Sequence, residues 1–502
     1  MKKIFIFIFI IATHNIIIAN NNDTIAIKEH FSKWNYLLSL SNNNPAFMRI
    51  AYTTPITVLG INCIDVNANK AYQLEKGNSK TLLKAYVTSY LHLNKNSTVW
   101  GDAAYQVGKK RNIRFNSTSD YDLLYPYVMA DTIGGNMENE QYTFGGGYAG
   151  KYNKWNIGAA IKFRAEHEYR TIDPRPRGIA TDLSVNIGVS YYLNNYCIGT
   201  GLGGRVYKQT NDVEFYNPLG VIPVYHLTGL GSNYVRFAGA IRSSYYKGSG
   251  FSTNIHIVPK NKNGIYIDAQ YSYMPYQNIL TELNALPITR LNVHKTEIET
   301  GWKQKTKSQW AVFAGIAMEQ RIGIEHIAGS SSSTEYKSLI SLSMFHSKWT
   351  NTYISGAWSM DSKRQLLLMS RVGLTYEQQR YIDLKREMTI ANNYFNIGSQ
   401  WTKSTTDNRW IHILNCELTY SNNYYKKIIM PYAIMGKKIT QLVNDTYAAK
   451  ASNSLNVHTG YKVFYNPKKF NGKSIFFNLD LRYLITNIIK QIVITTNIGC
   501  SF

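Results

Sequence analysis

The most charged stretch of this 502-residue chain is AIKFRAEHEYR, in which charged side chains recur at every second position. Alternate residues of a strand share a face, so Lys162, Arg164, Glu166 and Glu168 would lie on one side. Such a row could line a constriction that selects ions, or its charges could simply pair and hydrate in a wet interior. His167 would point away from both Glu residues, which argues against a metal site in the EHE run.

Two other segments carry charged residues that would share one face of a strand. Arg236 and Arg242, in NYVRFAGAIRSSYY, would share a face and add a positive field to the same interior. Asp480 and Arg482, in SIFFNLDLRYLI, are expected to neutralise one another. We find no Ser–His pair, no phosphate-binding glycine loop and no metal-ligand spacing, so we expect no catalysis, no cofactor and no metal.

The elements that position these charges are strands. Alternating runs such as DLSVNIGVSYYL and the terminal QIVITTNIGCSF separate an apolar from a polar face. Many runs last about 10 to 14 residues, the length of a tilted bilayer crossing. We therefore predict an all-β fold, a transmembrane antiparallel up-and-down β-barrel of roughly 16 to 22 strands. A soluble secreted β-sandwich, with the apolar face turned inward, is the alternative fold.

Connection lengths favour the barrel. Long connections are predicted near residues 66–80, 111–140, 170–180 and 209–232, and short ones at 94–97, 152–154, 194–195 and 247–250. Outer-membrane barrels alternate short periplasmic turns with long outer loops. If all the turns that precede a Trp lie at one end of the barrel, the alternation of short and long connections must break between residues 233 and 290. The exact strand number is therefore open.

Five of the nine Trp residues each follow a short polar segment. An aromatic residue at the start of a crossing strand is typical of the interfacial girdle of a membrane protein. The predicted girdle consists of Trp100, Trp155, Trp310, Trp349 and Trp410.

The N-terminus predicts export. A basic start and a short apolar core indicate a signal peptide over residues 1–19, with Ala19 as a cleavage point. An N-terminal segment follows over 20–47, in which TIAIKEHFSKWNYLLSLS has the spacing of a short helix that could plug the lumen, lie at its mouth or stay a loose tail. The barrel is predicted over 48–502.

Composition limits the partners. The formal net charge is +24, yet no zinc-finger spacing, basic helix or RNA-binding run is present, so we expect no nucleic-acid partner. The four Cys residues are widely spaced inside strand-like runs and are expected to act as small apolar fillers.

The C-terminal strand resembles that of bacterial outer-membrane barrels, in which a terminal aromatic strand is read by the barrel assembly machinery. The resemblance implies an assembly signal at Ile494, Ile498 and Phe502. The early Asn44-Pro45-Ala46 resembles the start of several barrel families of Bacteroidota, including fatty-acid-transporter-like barrels and barrels associated with type IX secretion.

The whole chain most resembles uncharacterised barrels of that phylum. The resemblance implies a location in the outer membrane of a Gram-negative bacterium, in contact with outer-membrane lipid and lipopolysaccharide. A channel or transport accessory is the expected function, because a barrel this large leaves a lumen unless it is filled. A non-channel barrel that anchors or partners a surface or secretion complex is the second reading.

Overall fold

The computed structural model describes residues 23–237, 242–305, 308–329, 338–360, 364–434, 437–467 and 473–502. The predicted signal peptide therefore lies outside the described residues. Within them, no helix is both long and apolar enough to cross a membrane.

Across the described residues, eighteen long strands, each antiparallel to its neighbours, form one closed sheet and confirm the predicted barrel. The alternation of apolar and polar residues favours these strands, because successive side chains of a strand point to opposite faces and only one face of each strand contacts water. In chain order β1 to β18 they are Ile56–Ala68, Ser79–Asn94, Ser97–Ile113, Gly135–Tyr152, Trp155–Tyr169, Arg175–Leu193, Tyr196–Glu214, Ser243–Pro259, Gly264–Leu280, Leu286–Lys305, Ser308–Ala328, Ser338–Met360, Arg364–Tyr381, Arg386–Ser404, Trp410–Ile429, Ser454–Tyr465, Ser474–Thr486 and Lys490–Ser501.

The last strand closes the barrel against the first. β18 pairs with β17 on one side and with β1 on the other, where Ile498 lies opposite Ile61. Beyond the strand, Phe502 and Thr57 exchange two backbone hydrogen bonds of 2.7 and 2.9 Å. Closure leaves no unpaired edge, which a barrel needs because lipid offers no hydrogen bonds.

The two faces of the wall differ in polarity. On β7, Ile198, Leu202 and Val206 point outward and are exposed, whereas Tyr207 and Gln209 point inward and are buried. The same alternation recurs around the sheet, so the exterior is apolar and the interior is polar and charged. An exterior of this kind is the surface that hydrocarbon, rather than water, solvates favourably.

The barrel has two different ends. At the turn end lie Phe502 and tight connections such as 153–154 and 194–195, in which Asn153 and Asn194 adopt the left-handed conformation of a two-residue hairpin. At the loop end lie the connections that include residues 69–78, 114–134 and 430–434. The predicted asymmetry of connection lengths is therefore present.

Two predicted details between residues 233 and 290 are wrong. The residues 247–250, predicted as a short turn, lie inside β8, where all four are paired with β7 and Lys247 and Gly248 are also paired with β9. Residues 233–237 and Arg242, predicted as parts of a strand, belong to the long connection that precedes β8. These two errors caused the apparent break in the alternation of short and long connections. The turn was predicted wrongly because a Gly-rich run inside a strand resembles a turn in sequence.

The remaining elements lie before or between the long strands. The α-helices are Asp23–His30, Lys33–Tyr36, Met48–Ala51, Tyr121–Leu124 and Lys438–Lys450, and the 3-10 turns are Leu40–Asn43, Pro45–Phe47, Leu74–Lys76, Pro218–Gly220, Val235–Phe237 and Thr281–Leu283. The short strands Met129–Ala130, Tyr225–Gly229 and Ser232–Asn233 form a separate small sheet. The first barrel strand begins at Ile56, later than the predicted boundary at residue 48.

Candidate functional site in the barrel lumen

Residues 23–55, here called the N-terminal plug, fill the turn end of the lumen. Pro45 and Ala46 lie against Gly158 of β5, and Asn44 lies against Gly188 of β6. A side chain at either glycine would collide with the plug, so the absence of Cβ atoms creates the space. Asn44 also caps the following turn through the backbone N–H of Ala46, 3.0 Å away.

Polar contacts hold the helical part of the N-terminal plug to the wall. The Lys303 ammonium donates to the backbone carbonyl of Trp34 at 2.7 Å and lies 4.9 Å from the centre of its ring. Gln400 on β14 accepts from the backbone of Lys33 at 2.8 Å and donates to the carbonyl of Phe31 at 3.1 Å. The loose tail considered from the sequence is therefore wrong for the described residues 23–55.

Glu29 ties the plug helix to the chain that leads into β1. Its carboxylate accepts bonds from the backbone N–H and hydroxyl groups of both Thr53 and Thr54, at 2.6 to 2.9 Å. Burial raises the pKa of Glu29, but these hydrogen bonds outweigh burial and hold the pKa below its ordinary value.

Residues 114–134, here called the loop plug, fold into the lumen from the loop end. Tyr121, Leu124 and Val128 are buried against the inward-facing Tyr207 and Tyr246. Tyr121 donates a hydrogen bond of 2.6 Å to Glu75 of the neighbouring connection. Burial raises the pKa of Glu75, and the Tyr121 hydrogen bond opposes that rise.

The predicted charge row on β5 faces this loop plug. Arg164 makes a two-point ion pair with Asp120 of the loop plug, at 3.0 and 2.7 Å, and contacts Glu166 on its own strand. Glu168 is buried and paired with Lys110 at 2.8 Å. Lys162 points into the lumen and is exposed there. His167 points outward, opposite to Glu166 and Glu168.

Charges that the sequence analysis did not single out extend this cluster. Asp182 on β6 lies 3.6 Å from Arg164 and binds Arg205 on β7 at two points, 2.8 and 2.6 Å. Together with Lys295 and Glu319 from the opposite wall, these groups line a charged cavity of 630 Å³ beside the loop plug. Alternate polar residues on β6, and on β7 from Arg205 to Asn211, were the sequence signal for these charges. The sequence carried no signal for which of them pair across strands.

A second cavity, of 210 Å³, lies under the helix Lys438–Lys450. Arg321 on its wall donates to the carbonyl of Tyr125 in the loop plug at 2.8 Å, and Lys450 of the helix pairs with Glu377 at 2.6 Å. Trp349 also lines this cavity. Acidic and basic groups from two sides of the barrel wall, from the loop plug and from the helix Lys438–Lys450 therefore converge on the loop-end half of the lumen.

Two of the predicted charge pairs are placed differently. Arg236 lies in the long connection before β8 and bonds to the carbonyls of Ala328 and Gly329, while Arg242 lies over the ring of Phe215 at 5.0 Å. They share no strand face, so the expectation that both line the lumen is wrong. Asp480 and Arg482 do face inward, but Asp480 bonds to Asn478 and to His458 rather than to Arg482.

The Trp residues divide into two groups. Trp155, Trp310 and Trp410 lie at the turn end and point outward, as an aromatic girdle requires. Trp349 lies in the middle of β12, and Trp100 lies at the turn end but points inward against Gly147, so both are wrongly assigned to the girdle. Three outward-facing Trp residues were missed because they precede a turn rather than follow one: Trp302, Trp358 and Trp401.

The C-terminal residues lie on the outer face of the closing strand. Ile498 and Phe502 are exposed there, and Ile494 is half-buried. Their role in assembly remains a prediction. The four Cys residues are unpaired, and no group of three or more potential metal ligands occurs in the part of the chain that the structure describes.

The apolar exterior, the closed sheet and the charged interior define a barrel of the transmembrane class. The chain belongs to the family described as Family of unknown function (DUF6850), whose model matches residues 45–502. No curated protein matches the chain.

Among solved structures, the chain is similar to the ferric preacinetobactin receptor BauA from Acinetobacter baumannii, at 8% identity over 88% of this chain and 80% of that one, with a TM-score of 0.39. It is similar to the ferric yersiniabactin uptake receptor FyuA from Yersinia pestis at 8% identity over 89% and 80%, with a TM-score of 0.43. It is also similar to the outer membrane transporter YddB from Escherichia coli at 7% identity over 89% and 81%, with a TM-score of 0.38.

Proposed function

We propose that the protein is an integral outer-membrane barrel that passes, or helps to pass, a solute through its lumen. The observation that carries the proposal is the charged cavity of 630 Å³ that the wall and the loop plug enclose. A barrel that serves only as an anchor gains nothing from burying paired charges, which cost solvation free energy. A lumen in which a polar solute can replace these ion pairs needs charged groups of this kind.

The manner in which the plugs are held supports the proposal. The loop plug is held by Arg164 and Arg321 of the wall, and the N-terminal plug by Lys303 and Gln400. These are ion pairs and hydrogen bonds, which water or a polar solute can replace. Apolar side chains of both plugs, such as Leu124 and Trp34, also pack against the wall, so displacement of a plug would cost this packing but would not break the pairing of the barrel strands.

The remaining features of the proposal concern location and partners. The signal peptide over residues 1–19 supports export, and the resemblance of Asn44-Pro45-Ala46 supports an origin in Bacteroidota. The barrel would be inserted by the barrel assembly machinery and would contact outer-membrane lipid and lipopolysaccharide. The proposal assigns no catalytic step and no nucleic-acid partner to the chain.

One observation favours the second candidate, a non-channel barrel that anchors or partners a surface or secretion complex. Packed segments of the chain, the N-terminal plug and the loop plug, occupy both ends of the lumen, and an anchor needs no open passage. Cross-linking in intact outer membranes followed by gentle extraction would then recover a specific partner.

Conductance in planar bilayers separates the two candidates. We expect the purified wild-type protein to conduct rarely and Lys303→Met, which loses the bond to the N-terminal plug, to open more often. Lys403→Met is the matched control, because Lys403 lies on the outer face of β14. If wild type and Lys303→Met both fold yet neither conducts nor admits solutes into liposomes, the transport proposal is wrong.

A further inference from the structure

A cationic groove lies on the outer face of the barrel, on β7 to β10. Lys208, Lys247, Gln277 and Arg290 stand side by side in one row across these four strands. They point outward, because the adjoining Tyr207, Tyr246 and Leu291 are buried in the lumen. The groove has a volume of 370 Å³, and Val206 and Pro275 form its apolar floor.

The charges in this row are not neutralised within the protein. Lys208 lies directly opposite Lys247, and side chains at such positions are about 5 Å apart, where like charges repel. Among the described residues, no ion pair joins Lys208, Lys247 or Arg290 to a carboxylate. Arg290 bonds only to Asn292, at 3.1 Å, and to the Tyr273 hydroxyl, at 3.2 Å.

Two outer-face lysines elsewhere at the loop end differ. Lys109 pairs with Glu138 at 2.8 Å, and Lys427 pairs with Glu387 at 3.9 Å. The groove is therefore a local excess of positive charge, and an anion bound between its two lysines would relieve their repulsion.

The groove lies at the height above the turn end at which lipid headgroups are expected. Lys208 follows Tyr196 at the turn end by twelve residues, so a rise of about 3.4 Å per residue and a tilt of about 40° place it about 30 Å above that end. The apolar band of such barrels is about 25 Å tall. On β7 the exposed Ile198, Leu202 and Val206 give way to Lys208 at this height.

Aromatic side chains mark the same boundary. The ring of Phe251 lies 6.0 Å from that of Tyr273, which lies 4.9 Å from the ring of His294. These rings lie just on the turn-end side of the cationic row. Aromatic rings nearer the turn end and cations nearer the loop end are the arrangement found where acyl chains meet headgroups.

We propose that the groove of Lys208, Lys247 and Arg290 binds the phosphate groups of a phosphorylated lipid in the outer leaflet. Two ammonium groups and a guanidinium, with Gln277 between them, match an anion with more than one negative charge. The acyl chains of the lipid would lie along Val206, Phe251 and Pro275. This inference rests on the membrane location in the proposed function and not on transport.

Native mass spectrometry of the detergent-solubilised barrel, titrated with diphosphoryl lipid A, monophosphoryl lipid A or an unphosphorylated glycolipid, tests this site. We expect the wild type to prefer the diphosphorylated lipid and Lys208→Gln/Lys247→Gln to bind it about 30-fold more weakly. Lys208→Arg/Lys247→Arg should restore binding. Lys109→Gln/Lys427→Gln is the matched control and should bind as the wild type does.

Equal binding by wild type and Lys208→Gln/Lys247→Gln would overturn the site, as would equal wild-type binding of phosphorylated and unphosphorylated lipid. Heat-modifiable migration in gels shows that each variant is folded. Flotation of each variant with liposomes measures membrane insertion separately. Failure of the wild type to float would contradict the membrane location, whereas normal flotation with loss of selectivity would contradict the groove alone.

Discussion

Arg164 on β5 and Asp120 in the loop plug are joined by two hydrogen bonds of 3.0 and 2.7 Å, so a charge of the wall holds the segment that closes the lumen. The same carboxylate accepts a bond of 2.8 Å from the Tyr207 hydroxyl. Both charged side chains are less than one-fifth exposed, at 19% and 17%. Interactions between charges that are this shielded from water are stronger than those of surface pairs.

Asp120→Asn should therefore loosen the loop plug. Asn retains one acceptor but loses the charge, and a hydrogen bond to a charged group contributes about 1.5–3 kcal/mol. We expect amide hydrogen exchange over residues 116–130 to become about tenfold faster or more. Asp407→Asn is the control, because Asp407 pairs with Arg409 in an exposed turn. Unchanged exchange in Asp120→Asn would show that burial of Tyr121 and Leu124 alone holds the plug.

Gly158→Ala should displace the N-terminal plug. A Cβ at this position would lie 2.5 Å from the carbonyl carbon of Pro45 and 2.7 Å from the nitrogen of Ala46. Both are backbone atoms, so the plug must shift as a unit, at a cost of about 1–3 kcal/mol. Gly204→Ala is the control, because a Cβ at Gly204 meets no atom within 4 Å.

Limited proteolysis of the folded protein measures the displacement, since trypsin can cleave after Lys28 and Lys33 only when the plug leaves the lumen. We expect faster cleavage in Gly158→Ala and wild-type cleavage in Gly204→Ala. Equal rates in the two variants would mean that the plug is not positioned by its contact with Gly158.

Acid should loosen the contact between the plug helix and residues 53–54. The pKa of Glu29 is lowered in the folded chain, so its stabilising contribution is complete above the ordinary value of 4.5 and is lost as pH falls through the lower, folded pKa. We expect hydrogen exchange over residues 23–37, corrected for intrinsic rates, to rise below pH 4.5. Glu29→Gln should exchange faster at neutral pH and lack this pH dependence, and a retained dependence would assign it to another group.

Deletion of Phe502 should lower the amount of assembled barrel. The deletion removes both backbone bonds to Thr57 at the seam and the outward ring of the predicted assembly signal. Thr496→Ser, within the same strand, keeps the backbone pairing and should assemble as the wild type does. Heat-modifiable and surface-labelled protein measures assembly, and equal levels in the two variants would count against an assembly signal at the terminus.

The alternation of residue types determined the class of fold. Runs such as QIVITTNIGCSF place side chains on opposite faces whatever surrounds them, because the strand period is fixed by backbone geometry. The same rule placed Lys162, Arg164, Glu166 and Glu168 on one face. A different signal, a short polar segment before the residue, placed Trp155, Trp310 and Trp410 at the start of strands. Local geometry therefore settled which side of a strand each of these residues occupies.

Which segments form strands, and what lies opposite each residue, were decided only by the tertiary structure. The Gly-rich residues 247–250 resemble a turn, yet continuous pairing with β7 keeps them in β8. Arg164 meets Asp120 because the loop plug folds into the lumen, and Arg205 meets Asp182 because the register of the β6–β7 hairpin places the two side chains on one face. The alternation within a single strand encodes neither the inserted segment nor this register. The sequence by itself determined a barrel with a wet, charged interior, and the tertiary structure decided that segments of the chain occupy both ends of that interior.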